Sequence, residues 1–260
     1  MNKYLHAGEL KEFLEEKTRQ YNTVAFIDSD PVSVPHRFSK KEDIEISGFL
    51  AATIAWGQRA TILNNMKRMM TMMDDAPHDF IISSSKKEVE RFSVFVHRTF
   101  NGTDCMYFMT ALKHIYKKHR GLENIFTSHT APDHTDFSHA MHTLKKIFFS
   151  LPHPARTQKH IADPLSNSSA KRINMFLRWM VRKDNTGVDF GLWNHLGSYR
   201  LSCPLDIHSA RVARKLGLLQ RTQNDWKAVC ELTLNLRKFD AADPVKYDFA
   251  LFGLGVNEKF

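Results

Sequence analysis

The chain has 260 residues, of which 42% are hydrophobic, so it can bury a sizeable core and is not expected to be disordered. Lysine and arginine number 37 against 28 aspartates and glutamates, and the resulting net charge of +9 favours acidic partners such as nucleic acid. The three cysteines, Cys105, Cys203 and Cys230, are widely spaced, which argues against a disulfide framework and against a cysteine-rich metal site.

The N-terminal segment Met1–Tyr21 is charged and lacks the apolar centre of a signal peptide. No apolar run approaches the ~18 residues that a membrane span requires. We therefore expect a cytoplasmic protein, associated with the nucleoid if it binds DNA, that does not enter a membrane.

In the first half of the chain, apolar residues recur at helical spacing. Gly57 follows the second of these runs and is a candidate C′ glycine. The methionines between Met66 and Met73 form a stripe that predicts core packing rather than a cofactor site. Helices are predicted at about 7–20, 40–55, 60–73, 76–83, 86–94, 104–119 and 135–149.

The second half begins with a tight hairpin at 165–170. Asp184 to Gly187 is a turn, and Pro204 suits the first position of a later helix. Helices are predicted at about 170–183, 205–217, 223–238 and 243–254. Because no stretch alternates like a strand, the fold class is predicted to be all-α.

Two residues of the second half are candidates for covalent chemistry. Lys171 stands just inside the helix that follows the hairpin, and Asp206 stands near the start of a later helix. A lysine attacks carbon only as the free amine, so a site must offset its usual pKa of about 10.4. A carboxylate beside it stabilises positive charge or transfers protons. Each residue also has an ordinary interpretation, a solvated lysine and a helix N-cap.

The order of these features resembles that of the helix-hairpin-helix DNA glycosylases. Leu165 to Asn174 aligns without gaps with their hairpin, in which the lysine is the nucleophile. Leu205 to His208, followed by Arg211 and Val212, is similar to their aspartate-x-histidine signature. The resemblance covers about residues 40–255.

Two further segments carry the same resemblance. Ile46 to Gln58 is similar to an apolar helix whose terminal glutamine fills the gap left by a flipped base, and Asp248 to Gly255 is similar to the closing helix. The spacing of Lys171 and Asp206 is similar to that in archaeal 8-oxoguanine glycosylases. Residues 171–182 resemble a run in a bacterial family of uncharacterised proteins.

The resemblance implies two helical lobes around a cleft, within a single composite domain of residues 1–260. One lobe would span about 40–200, including the hairpin 165–170, and the other about 1–39 with 201–260. The implied function is removal of an oxidised base, with 8-oxoguanine favoured, followed by strand nicking through a Schiff base on Lys171. The implied partner is duplex DNA with a damaged base, bound by a monomer without a cofactor or metal.

Site roles follow from the same resemblance. Lys171 and Asp206 are the expected catalytic residues, and Trp56 and Trp179 are candidates for the base pocket, although core packing is the more usual role of such aromatics. The expected DNA-binding residues are Gln58, Arg59, Asn167, Ser168, Ser169, Arg172, His208, Arg211 and Arg214.

The hairpin departs from the family pattern where glycines are replaced by Asn167 and Ser169. Asparagine tolerates the left-handed backbone region better than serine. The hairpin is therefore expected to bind phosphate less well or to have a different shape. This departure favours an alternative, a DNA-binding protein that keeps the fold without catalysis.

A third class, a metal hydrolase, rests on a group of polar residues just after the middle of the chain. His134, Asp136, His139 and His142 lie close in sequence, and His139 and His142 are separated by three positions. The spacing matches no known ligand pattern with an acidic partner, and such loops are commonly solvated.

Overall fold

The structure is a computed structural model that describes residues 6–260. Residues 1–5, which include the start of the segment from Met1 and of the expected lobe 1–39, lie outside the described residues. The protein is 64% helix and 2% strand, which confirms the all-α prediction.

Most helices lie within a few residues of their predicted bounds. The first six are α1 (Ala7–Tyr21), α2 (Lys41–Thr53), α3 (Arg59–Thr71), α4 (Pro77–Ser83), α5 (Lys86–Val89) and α6 (Gly102–His119). They are followed by α7 (Leu122–Ser128), α8 (Ser138–Phe148), α9 (Lys171–Val181), α10 (Ile207–Lys215), α11 (Trp226–Arg237) and α12 (Asp248–Val256).

Three features depart from the predicted elements. Helix α7 was not expected, and a short antiparallel pair, β1 (Val96–His97) and β2 (Phe100–Asn101), lies where no strand was predicted. Gly57 has a φ of 105°, but it lies beyond the C′ position because α2 already ends at Thr53.

Short 3₁₀ helices occupy Val24–Ser29, Pro31–Ser33, Pro35–Arg37, Glu90–Val94, Ala155–His160, Pro164–Ser166, Ser198–Arg200 and Pro244–Tyr247.

The described residues divide into two compact units. The terminal unit comprises 6–26, Thr135–Phe137 and Asp163–Phe260, and the middle unit comprises Ile27–His134 and Ser138–Ala162. These units are bounded differently from the expected lobes, because residues 163–200 belong with the C-terminal helices. The hairpin, Lys171 and Asp206 therefore share one unit.

Helix α12 is the centre of the terminal unit. It packs against both α1 and α10, and most of its side chains are buried. Two glycines permit this close approach. A Cβ on Gly253 would lie 2.1 Å from the ring of Tyr21, and one on Gly255 would lie 2.9 Å from Cβ of His208. Any larger residue at these positions would push α1 or α10 away from α12.

Helix α2 supplies much of the core of the middle unit, since residues 44–53 are all buried. It packs against α3 and α4. Met66, Met69, Met70 and Met73 are fully buried, which confirms the prediction that the methionine stripe fills the core.

Within residues 6–260, no helix is long and apolar enough to cross a bilayer.

Candidate active site

The hairpin begins with a capped 3₁₀ turn. Oδ1 of Asp163 accepts the backbone N–H of Leu165 at 3.0 Å, and the Ser166 hydroxyl donates to Oδ2 of the same carboxylate at 3.2 Å. The chain then reverses at Asn167, which has a φ of 60° in the left-handed region. Asparagine tolerates this region better than most residues other than glycine.

The second left-handed residue of the hairpin lies one position later than the resemblance to the glycosylases suggests. Among residues 6–260, the positive φ angles of the hairpin fall at Asn167 and at Ala170, whose φ is 46°, and not at Ser169. Ala170 is also the N-cap of α9 and is buried. Ser169 therefore does not need the conformational freedom of glycine, and its carbonyl instead accepts Nδ2 of Asn174 at 3.1 Å.

The hairpin is fixed to the start of α11. Nδ2 of Asn167 donates to Oδ2 of Asp225 at 3.1 Å, and the N–H of Trp226 donates to the Asn167 carbonyl at 3.3 Å. Ser168 pairs with Asp225 in an isolated antiparallel bridge. The Arg221 guanidinium hydrogen-bonds to the Asp225 carboxylate and holds its pKa well below the usual range, so Asp225 is charged at neutral pH. These contacts hold the residues just before Lys171 in place.

Lys171 is the first residue of α9, and its side chain is 32% exposed. Its Nζ lies 3.5 Å from Oδ2 of Asp206. Asp206 is the N-cap of α10 and is 13% exposed. Its other oxygen, Oδ1, accepts the backbone N–H of Ser209 at 2.8 Å, which fixes the orientation of the carboxylate. The expected ordinary role of Asp206 as a cap and its contact with Lys171 thus occur together, on different oxygens.

A layer of buried charges lies behind this pair in the terminal unit. Arg178, on α9, donates from Nη1 to Oδ2 of Asp248 at 2.5 Å and from Nε to Oδ1 of Asp189 at 3.2 Å. Its guanidinium lies 4.2 Å from the ring centroid of Phe249. Since all three charged side chains are buried, these bonds replace the water that the charges give up on folding.

Arg182 extends the layer by one helical turn. It pairs with Asp189 at 2.9 Å, with Asp184 at 2.7 Å and with Asp243 at 2.9 Å. Burial by itself raises the pKa of Asp184, but the Thr186 hydroxyl and the Arg182 guanidinium together lower it to about 2. Asp184 is therefore ionised at neutral pH beside Arg182.

Asp248 differs from the other carboxylates of the layer. Burial raises its pKa to about 6, Arg178 opposes that rise, and the charges of Asp206 and Lys171 also act on it. Burial and the charges of Asp248 and Asp206 raise the pKa of the neighbouring Cys203 thiol. Asp248 is a buried carboxyl that was not among the site residues expected from the sequence.

The expected phosphate-binding arginines make contacts inside the terminal unit. Nη2 of Arg211 donates to the Gly255 carbonyl at 2.9 Å. Arg214 donates to the carbonyls of Arg221 and Thr222 at 2.9 and 2.8 Å and so holds the loop before α11. Both side chains therefore have structural roles whether or not they also meet DNA.

Two other expected DNA-binding residues lie in the same unit. Arg172 is half-buried, and burial lowers its pKa to about 10, so it keeps its charge at neutral pH. His208 is exposed on α10, with its Cβ beside Gly255. Trp179, a candidate for the base pocket, is fully buried, as its apolar helical spacing suggested.

The remaining expected site residues belong to the middle unit. Gln58 is the exposed N-cap of α3, and Arg59 is its half-buried first residue. Trp56 is partly exposed and is wedged between two histidines. Its ring is edge-on to His97 at 5.0 Å and stacked on His160 at 6.0 Å.

The histidines of the metal-hydrolase alternative stack rather than converge. The rings of His134 and His139 lie 4.7 Å apart at an interplanar angle of 22°, and Nδ1 of His134 accepts the N–H of Ala131 at 3.2 Å. Residues 6–260 contain no group of three or more histidines, cysteines or carboxylates placed to hold a metal ion.

Comparison with protein families gives one match, over residues 30–257, to the family described as "Protein of unknown function (DUF2400)". The chain belongs to the DUF2400 family. Comparison with curated proteins and with solved structures found no significant match. The DUF2400 match includes Lys171, Asp206 and Asp248, together with most of both units.

The buried layer of charges in this DUF2400 chain was not predicted from the sequence, although the sequence contains one indication of it. Arg178 lies in α9, whose side chains are largely apolar, and Arg182 is the C-cap of that helix four residues later. Two cations at that spacing on a buried face require acidic partners. Which acids they meet is not readable locally, because Arg178 and Asp248 are 70 positions apart.

Proposed function

We propose that this DUF2400 protein is a DNA glycosylase with abasic-site lyase activity, acting on an oxidised base, with 8-oxoguanine favoured. The single observation that carries the proposal is the approach of Lys171 Nζ to Asp206 Oδ2 at 3.5 Å. It pairs a partly exposed amine with a carboxylate whose second oxygen accepts the N–H of Ser209 as a helix cap. An amine beside an oriented proton acceptor is what Schiff-base chemistry requires.

The net charge of +9 supports DNA as the substrate, since cations are attracted to phosphates. The anchored hairpin supports the same assignment, because it presents Lys171 at the first position of a helix. The helix-hairpin-helix arrangement with two lobes around a cleft is part of this proposal. The damaged nucleotide would leave the stack, and Gln58 would occupy the vacated position.

The chemistry can be written with its atoms balanced. Nζ of Lys171, as the free amine, attacks C1′ of the damaged nucleotide, and the electron pair of the C1′–N bond leaves with the base, which takes up a proton. Asp206 accepts a proton from the attacking nitrogen. The nitrogen electron pair then forms the C1′=N bond as the C1′–O4′ bond breaks, and Asp206 returns its proton to O4′, which gives a protonated imine and a 4′-hydroxyl. Loss of a C2′ proton breaks the C3′–O bond and nicks the strand.

Borohydride trapping tests this proposal directly, because hydride reduces the imine to a stable amine. Duplexes carrying 8-oxoguanine, an oxidised pyrimidine or an abasic site are compared with an undamaged duplex. We expect a covalent band with 8-oxoguanine DNA that is lost in Lys171→Gln. Lys227→Gln is the matched control, since Lys227 is an exposed lysine in the first turn of α11, whose N-cap is also an aspartate.

A second candidate function is DNA binding without catalysis. It is favoured by one observation, that the hairpin carries Asn167 and Ser169 where the glycosylase pattern has glycines. Binding to all duplexes without a covalent band on any of them would select this function over the first. Trapping on the abasic duplex alone would assign lyase activity without base excision.

A further inference from the structure

Asn174 is a buried polar residue of α9 that holds the end of the hairpin. It stands three positions after Lys171, which places the two residues as neighbours on the helix surface. Only 1% of Asn174 is exposed. Its Nδ2 donates to the Ser169 carbonyl at 3.1 Å, and its backbone N–H donates to the Ala170 carbonyl at 3.0 Å. One residue therefore binds the two consecutive carbonyls that immediately precede Lys171.

These two carbonyls belong to the peptide planes on either side of Ala170. The plane before Ala170 contains the Ser169 carbonyl, and the plane after it contains the Ala170 carbonyl and the nitrogen of Lys171. The relative orientation of the planes is set by the backbone dihedrals of Ala170, whose φ is 46° and whose ψ is 33°. Because Asn174 binds a carbonyl in each plane, it fixes Ala170 in the left-handed region.

Alanine does not adopt this conformation without support. In the left-handed region its Cβ crowds the following carbonyl oxygen, so Ala170 would favour a negative φ if its neighbours released it. A change of φ at Ala170 would redirect the first turn of α9. That turn begins with Lys171, whose Nζ lies 3.5 Å from Oδ2 of Asp206. The position of the amine therefore depends on the conformation of the residue before it.

The side-chain amide of Asn174 makes a single hydrogen bond within residues 6–260. Its Oδ1 is buried and accepts no hydrogen bond from the described residues. Because a buried polar atom without a partner costs free energy, leucine, which has a similar shape, would suit this position if packing were its only role. What the asparagine adds is the Nδ2 donor to the Ser169 carbonyl.

We propose that Asn174 is a positioning residue that fixes Lys171 beside Asp206 by holding Ala170 in the left-handed region. The inference rests on the proposed function and deepens it, since it adds to the site a residue that was not expected there from the sequence. Asn174 acts on the reaction through the backbone that joins it to Lys171.

Single-turnover trapping with cyanoborohydride on an abasic duplex tests this role at increasing protein concentrations. Asn174→Leu should lower the maximal rate about 10- to 100-fold, because the amine is displaced, while the half-saturating concentration changes by less than about threefold. Asn235→Leu is the matched control, since Asn235 lies on α11 in the same unit and its Nδ2 also donates to a carbonyl, that of Leu218, at 2.8 Å. This variant should keep the wild-type rate.

Asn174→Asp gives a pH dependence that a purely structural role would not produce. A neutral carboxyl can donate to the Ser169 carbonyl, whereas a carboxylate only accepts and repels it. Burial should raise the pKa of the new carboxyl. Relative to wild type at each pH, trapping by Asn174→Asp should be near normal at pH 5 and lower by about tenfold or more at pH 8. Asn235→Asp should keep a constant ratio to wild type. Because Asn174→Asp retains a donor at low pH, it also serves if Asn174→Leu does not fold.

Ala170→Gly should reduce the need for Asn174. Glycine enters the left-handed region without the crowding that alanine meets, so its backbone needs less support. The loss of trapping rate caused by Asn174→Leu should therefore be smaller, by about threefold or more, when Ala170→Gly is also present. An equal loss in both backgrounds would show that Asn174 does not act through Ala170 and would reject the proposal.

Hydrogen exchange tests the same link without DNA. Exchange of the backbone amides of residues 165–170, followed by peptide mass spectrometry, should be about fivefold faster or more in Asn174→Leu and unchanged in Asn235→Leu. If the wild type fails to trap on any duplex, the proposed function fails, while exchange still tests the hold of Asn174 on the hairpin. Wild-type exchange and trapping in Asn174→Leu, or an equal loss of trapping in Asn235→Leu, would overturn the proposal.

Discussion

Lys171 Nζ lies 3.5 Å from Oδ2 of Asp206, while Oδ1 of the same carboxylate accepts the N–H of Ser209 at 2.8 Å. The two oxygens of one side chain therefore have separate partners. Oδ1 caps the N-terminus of helix α10, and Oδ2 contacts the candidate nucleophile. Because capping and the contact with Lys171 use different atoms, a substitution can remove one role and keep the other.

Asp206→Asn should keep the N-terminal cap of helix α10 but lose most of the trapping activity. Asparagine is as good an N-cap as aspartate, so the free energy of unfolding should change by less than about 0.5 kcal/mol. Without a carboxylate to accept the proton from Lys171, trapping on 8-oxoguanine DNA should slow by about 10²-fold or more. Urea unfolding and single-turnover trapping measure the two effects.

Asp206→Ala completes the comparison, because it removes the cap as well. Its unfolding free energy should fall by about 1 kcal/mol, with a similar loss of trapping. If Asp206→Asn traps at the wild-type rate, Asp206 is a cap alone and has no part in the chemistry.

Gln58→Ala should change function without changing stability. Gln58 is exposed, so its truncation should alter the free energy of unfolding by less than about 0.5 kcal/mol. If its side chain replaces a flipped base, excision from duplex DNA should slow, while excision from single-stranded DNA, which has no stack to fill, should not. Asn64→Ala, an exposed amide on the same helix, is the control and should leave both rates unchanged. Equal slowing on both substrates would exclude this role.

The helices were predictable because periodicity is a local property. Helices α6 and α9 were predicted to within two residues of their observed bounds, since their apolar positions recur over several turns. Helix α7 has only seven residues, and β1 and β2 have two each, which is too short for a period to be seen. Their existence depends on tertiary packing.

The candidate site was predictable only in part. The residues alone allowed Asp206 to be a cap, which the structure confirms, whereas its pairing with Lys171 was expected from the family resemblance. The partners of Arg178 could not be read from the sequence, because Asp189 and Asp248 reach it from a loop and from another helix. Such contacts are fixed by the fold and not by local pattern.

Relative to alanine, glycine should have opposite effects on the free energy of unfolding at two positions of the hairpin. Asn167 has a φ of 60°, so Asn167→Gly should be less destabilising than Asn167→Ala by about 1 kcal/mol. Ser169 lies outside the left-handed region among the described residues, so Ser169→Gly should be more destabilising than Ser169→Ala by about 0.5–1 kcal/mol. Urea unfolding of the four variants checks both orders, and the same order at both positions would contradict the backbone assignment.

Asp248 should make stability depend on pH in the direction opposite to most aspartates. Its pKa is about 6 in the folded protein and about 3.9 in an unfolded chain, so the folded state binds more protons between these values. Stability from this group is therefore present below about pH 4 and is lost as pH rises to about 6. Relative to wild type, Asp248→Asn should gain about 3 kcal/mol across that window.

Asp184 supplies a control of opposite sign within the same buried layer. Its pKa is lowered to about 2, so its contribution is present above the unfolded pKa and is lost as pH falls. Urea unfolding between pH 3 and pH 7 should thus show the stability of Asp184→Asn relative to wild type improving as pH falls, and that of Asp248→Asn improving as pH rises. Parallel difference curves would mean that the pKa of Asp248 is lowered in the folded protein, as that of Asp184 is, and not raised.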